Sequence, residues 1–107
     1  MRVISQDGTM DFPYEISTIF SYPRTENAIA IQPAGDSEIS IIGRYSNKEK
    51  AVKAMEMLRK AYEDNKFYHY MSATDTFEKA VSYLSNEKFK EVTAEYFQFP
   101  QDDEIEA

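Results

Sequence analysis

Through the first half of the chain apolar and polar residues alternate, as they do in strands that bury one face. In MDFPYEIS the residues Met10, Phe12, Tyr14 and Ile16 share one parity. Pro13 inside that run removes a ladder donor, which suits an edge strand or a bulge. A short VIS precedes it, and the QDGT between them carries Asp7-Gly8, a strong hairpin signal. NAIAIQ then alternates through Ile29 and Ile31, and SEISIIGRY through Ile39, Ile41 and Tyr45, with PAGD as the turn between them. Two hairpins in succession predict an antiparallel meander.

After Tyr45 the period changes. Ala51, Val52, Ala54, Met55, Leu58, Ala61 and Tyr62 recur at helical spacing, which predicts a helix over 47–64 ending at Asn65. Ser46 reads as its N-cap, with Glu49 closing a capping box. Glu49–Lys53 and Glu56–Lys60 are favourable i,i+4 pairs on its outer face. The apolar stripe should cover the sheet through Ile29, Ile31, Ile39 and Ile41. FYHYM admits a short strand. A second helix is expected over 75–87, with Asp75 and Glu78 as its capping box and Phe77, Ala80, Val81 and Leu84 facing inward. VTAEYFQFP predicts a last strand over 92–99 that stops at Pro100, and QDDEIEA reads as a frayed acidic tail. The expected class is α+β: a small antiparallel β-meander with two helices packed on one face. It forms a single domain over 1–100, followed by an acidic C-terminal tail at 101–107.

Composition narrows the chemistry. The 107 residues suffice for one core, and seven Phe with eight Tyr supply it with large side chains. Cysteine is absent, so disulfides, thiolate metal sites and a cysteine nucleophile are excluded. No export signal or membrane-spanning stretch is read, and a cytoplasmic location is expected. The net charge of −7 argues against a reader of duplex nucleic acid. Charge is uneven, however. Six of the twelve basic residues fall between Arg44 and Lys60, making that stretch the basic island of an acidic chain.

Catalytic patterns are thin. The single histidine, His69, stands between Tyr68 and Tyr70 and reads as a packing or surface side chain, because a general base needs an orienting partner. Three glycines cannot build a glycine-rich phosphate cradle, and one histidine without cysteine gives no zinc set. The closing DDEIE could offer carboxylates to a cation, but reads more simply as a solvated tail. No enzyme, metal or cofactor is expected. The basic island carries more. A helix N-terminus attracts anions through its unpaired amides and its dipole, and two lysines flank Glu49 where acids would normally sit. Arg44, Tyr45, Ser46 and Lys48, joined by Arg24 from a neighbouring loop, are the candidate anion-binding residues. Tyr45 would stack on a base if it faces outward and would be core if it shares the inward parity of Ile39 and Ile41. The plainer alternative is lysines that only solvate an exposed helix.

RVISQDGTMDFPYE, GRYSNKEKAVKAMEMLRKAY and FQFPQDDE, in that order, resemble a family of small uncharacterised proteins encoded by phages and prophages of Gram-positive bacteria. In those relatives the closing block follows the helix closely, whereas here residues 66–92 intervene. The resemblance implies phage origin and a bacterial cytoplasm, with no catalytic residue to carry over. A small non-enzymatic phage protein of this kind suggests an accessory function against host defence. On the residues, two mechanisms fit. One is sequestration of a small anionic signal such as a cyclic nucleotide. The other is docking of the acidic surface on a host defence protein such as a nuclease, in place of nucleic acid. A structural or assembly module is the remaining class. A homodimer is expected, because a small sheet has edges to protect and aromatic residues are abundant.

Overall fold

In the computed structural model, which describes residues 1–22, 24, 27–72 and 95–106, the Asp7-Gly8 pair forms the hairpin turn its chemistry suggests. Gly8 adopts φ 76°, a left-handed conformation open to glycine at little cost. The Asp7 carboxylate accepts from the Thr9 amide (3.0 Å) and from the hydroxyls of Ser5 and Thr9 (2.7 Å each). The turn joins β1 (Arg2–Ile4) to β2 (Asp11–Pro13), antiparallel with Val3 opposite Phe12. β2 lies at a sheet edge, as Pro13 requires. The run expected as one strand over Met10–Ile16 is broken here. Residues Tyr14–Ile16 form a 3₁₀ turn, with the Ser17 hydroxyl donating to the Pro13 carbonyl at 2.6 Å, and a strand missed by pattern reading, β3 (Ser17–Ser21), follows.

β3, β4 (Ala28–Pro33) and β5 (Ser40–Arg44) make an antiparallel meander, with Gly35 (φ 82°) in the β4–β5 turn. The two hairpins expected in one meander thus lie in different sheets, and the new strand β3 takes the place of the first hairpin. β4 is central, and Ala28, Ile29, Ala30 and Ile31 are all fully buried. Between β4 and β5 the register steps from Ile29–Gly43 to Ala30–Ile41, leaving Ile42 as the extra residue of a bulge. A bulge reverses side-chain parity beyond it. Ile42 and Tyr45 therefore enter the core, Ile41 is half-buried and Ile39 is exposed, which corrects the expectation that Ile39 and Ile41 underlie the helix.

The helix α1 (Lys48–Ser72) buries Ala51, Ala54 and Leu58 against Ile29, Ile31 and Ile42, with Met55 partly buried beside them. Val52 lies off this stripe and is exposed. The cap is Asn47 rather than Ser46: its side-chain oxygen accepts the Lys50 amide at 2.8 Å, and its carbonyl accepts that of Ala51. With the helix starting one residue later, the Ser46–Glu49 capping box does not form. Nor does α1 end at Asn65, which is buried mid-helix, and FYHYM is helical rather than a strand. Neither glycine nor proline stands between Gly43 and Pro100, so nothing in the local sequence stops the helix at Asn65.

The expected last strand appears as β6 (Tyr96–Gln98), parallel to β1 with Phe97 beside Val3. It completes a second, mixed sheet of order β2-β1-β6. The class is α+β, with two three-stranded sheets and one helix among the described residues. The expected helix over 75–87 and residues 92–94 of the expected strand lie outside them. Phe99 and Ile105 are buried in the common core, so the closing segment is docked there rather than frayed.

Candidate functional site

The start of α1 is built by three distant segments. Pro100 presents its carbonyl to the buried Tyr45 hydroxyl (2.9 Å) and to the Gln6 side-chain amide (3.2 Å). Gln6 in turn accepts the Arg44 amide at 2.9 Å, and its carbonyl accepts the Gln101 side chain at 2.6 Å. Gln101 and Glu104 form a reciprocal capping box on the 3₁₀ turn Asp102–Glu104. That turn sets Asp102 at the helix entrance. Its carboxylate accepts the Ser46 amide at 2.7 Å and meets the Lys50 ammonium at 3.3 Å, while Lys50 also donates to the Asp102 carbonyl at 2.7 Å. The Ser46 backbone bond is the first cause that holds the Asp102 carboxyl below its usual range, with the Ser46 side chain and Lys50 adding to it.

The anion that the first turn calls for is thus supplied by the chain itself. Of the candidate residues, Arg44, Ser46 and Lys48 are exposed around this entrance, but the Ser46 amide is already engaged by Asp102. Tyr45 is buried, and burial, followed by the charges of Asp102 and Glu104, pushes its hydroxyl pKa well up. It is a core residue and offers no stacking face. Arg24 is exposed in the β3–β4 connection, in which the Asn27 carbonyl accepts the Tyr45 amide at 2.9 Å. The missed residue is Asp102. Its signal was the acid run after Pro100, opposite in charge to Lys48 and Lys50.

A second concavity lies between the helix and β3. It encloses about 390 Å³ and is lined by Tyr14, Glu15, Ile19, Met55, Arg59 and Tyr62, among others, with the Glu15 carboxylate held by the N-terminal ammonium at 2.6 Å. The Tyr14 and Tyr62 rings meet at 4.3 Å between centroids, tilted by 38°. Burial and the neighbouring Tyr62 push the Tyr14 hydroxyl pKa up, while the Arg59 charge opposes them. Arg59 belongs to the basic island, and among the described residues no hydrogen bond or ion pair engages it. Tyr14 and Arg59 share no sequence signal, because the 3₁₀ turn at Tyr14–Ile16 interrupts a run whose alternation predicts a strand. His69 is exposed, with Glu95 at 3.7 Å. Among the described residues no group of three or more metal-ligating side chains occurs, and no helix is long and apolar enough to cross a membrane.

No family model, curated protein or solved structure matches the chain.

Proposed function

We propose that the protein is a non-enzymatic binding protein that holds a small anionic nucleotide in the cleft between β3 and α1. A single observation carries this reading: Arg59, a cation with no described partner, shares a concavity of ligand size with two tyrosines. A guanidinium grips phosphate in a fork, and a tyrosine ring offers a face to a base. The reading moves the ligand from the helix entrance, where Asp102 stands, to the cleft further along α1. In the setting the resemblance suggests, a homodimer of phage origin in the cytoplasm of a bacterial host withdraws a cyclic nucleotide signal and so counters defence. A second reading is favoured by the exposed acids Asp103, Glu104 and Glu106, which close the chain beside the helix entrance. They would dock on a basic face of a host defence protein.

Calorimetry against cyclic mononucleotides, cyclic dinucleotides and ADP-ribose tests the proposal. Wild type should bind a member of this panel, and Arg59→Ala should weaken that binding by about 10- to 100-fold, the loss of a charged hydrogen bond or two. Arg44→Ala should leave it unchanged. Absence of binding across the panel, with a purified defence nuclease inhibited instead, would replace this reading with the second.

A further inference from the structure

Among the described residues two small sheets have four edges, and three of them are protected. β2 carries Pro13 and the Arg2–Asp11 ion pair (2.8 Å). β6 has only three residues. β5 is bulged and is covered by Gln6, whose amide donates to the Ile42 carbonyl at 2.7 Å. β3 has none of these devices. Its five residues STIFS contain no charge, proline or glycine, and among the described residues β4 is its sole ladder partner. Such an edge invites another strand.

The hydrogen-bond phase tells which groups face outward. Tyr22 donates to the Ala28 carbonyl and Ala34 to that of Ile16, so the even-numbered residues of β3 bond to β4. The amides and carbonyls of Ile19 and Ser21, and the carbonyl of Ser17, point away. The Ser17 amide is already taken by the Tyr14 carbonyl. This outward set is symmetric in sequence: Ser17, Ile19, Ser21 reads the same in both directions.

We infer that β3 is the dimer interface, pairing antiparallel with β3 of a second copy about a two-fold axis through Ile19, so that the meander becomes a continuous six-stranded sheet. The inference rests on the homodimer reading above and assigns its edge and register. The two Ile19 residues exchange amide and carbonyl bonds, and each Ser21 amide donates to the opposing Ser17 carbonyl. The same register sets half-buried Phe20 against Thr18 of the second copy and brings the two Ile19 side chains together on the helix side of the sheet, at the β3 wall of the cleft. An isologous pairing of this kind closes on itself and leaves no β3 edge for further addition.

Light scattering on wild type and Ser21→Pro is the test, with amide hydrogen exchange as the second readout. Wild type should be dimeric at micromolar concentration. Proline at 21 deletes an amide that β4 does not use, and symmetry removes two bonds at once, so the dimer should weaken by about tenfold or more. In wild type the Ile19 and Ser21 amides should exchange faster on dilution, a measurement that stands even if Ser21→Pro fails to fold. A dimer whose Ile19 and Ser21 amides exchange at a concentration-independent rate would overturn the β3 interface and leave the homodimer standing. A 12.4 kDa species for wild type would overturn both.

Discussion

Lys50 and Arg59 stand on one helix, nine residues apart, and belong to the same basic island, yet the fold treats them differently. Lys50 is largely covered and held by Asp102 through both carbonyl and carboxylate. Arg59 is exposed on the wall of a cleft, with no described partner. A positive helix terminus attracts an anion wherever one can reach it, and the first to reach this one is a carboxylate from the chain's own end. Intramolecular attachment gives Asp102 a local concentration that a diffusing ligand cannot match. Positive charge in a sequence therefore marks a binding site only where the fold leaves it unneutralised. At the helix entrance the Ser46 amide and Lys50 are clamped by Asp102, whereas in the cleft Arg59 is left open.

The largest effect that could break this contrast concerns the anchor of the clamp. Ile105 is buried beside Phe99 and Tyr45 in the core and seats the acid turn before it. Ile105→Ala should destabilise the fold by about 2–5 kcal/mol in denaturant melts, the range for truncating a buried isoleucine. A solvated tail would show a change near zero, and that result would remove the clamp. Tyr45→Phe should cost about 1 kcal/mol, since it deletes one partly buried hydrogen bond to Pro100 and little volume. On the other side of the comparison, Arg59→Ala should change stability by less than about 0.5 kcal/mol, as expected for an exposed side chain away from the core. A large loss there would make Arg59 a structural residue and weaken its claim as the open cation.

Much of this architecture was legible in the pattern, and the failures share a cause. Ile29, Ile31, Ala51, Ala54 and Leu58 announce themselves by period, because their partners are near in sequence or repeat at fixed spacing. The bulge at Ile42 carries no local signal beyond an extra apolar residue in SIIG, yet it turns Tyr45 inward and decides that it cannot stack on a ligand. Asn47 is the cap, and the Ser46 amide that Glu49 would accept in a capping box is instead spent on Asp102, a contact spanning 56 positions in the chain. The parallel pairing of β6 with β1 is likewise a decision between the two ends. For the candidate site, the residue types were readable but their company was not. Arg44 and Lys48 are exposed as expected, while the meeting of Tyr14, Arg59 and Tyr62 depends on a 3₁₀ turn after Pro13 that period-two counting concealed.

The smallest effects are electrostatic, and they separate the two regions by pH. Asp7 and Asp102 both have folded pKa values below the ordinary 3.8, Asp7 at about 2, where the Ser5 and Thr9 hydroxyls hold its charge first of all. For a depressed carboxyl the unfolded chain takes up its proton first as pH falls, so its contribution is complete above about pH 4 and disappears towards pH 2. The Asp102 carboxyl is lowered in the same direction, so Asp102→Asn should flatten the acid limb of the stability curve below the ordinary carboxylate pKa of 3.8, and Arg59→Ala should not. The cleft responds at the other end of the scale. Tyr14 has a raised pKa, so the unfolded chain loses its proton first and stability falls as pH rises past the ordinary 10.0. Arg59 is the group that restrains this rise, and removing its charge should move the Tyr14 titration still higher, measured by tyrosinate absorbance with Tyr14→Phe as the difference control. If Arg59→Ala left that titration in place, the guanidinium would lie too far from Tyr14 to share a ligand with it, and the cleft would lose the one cation that distinguishes it from the helix entrance.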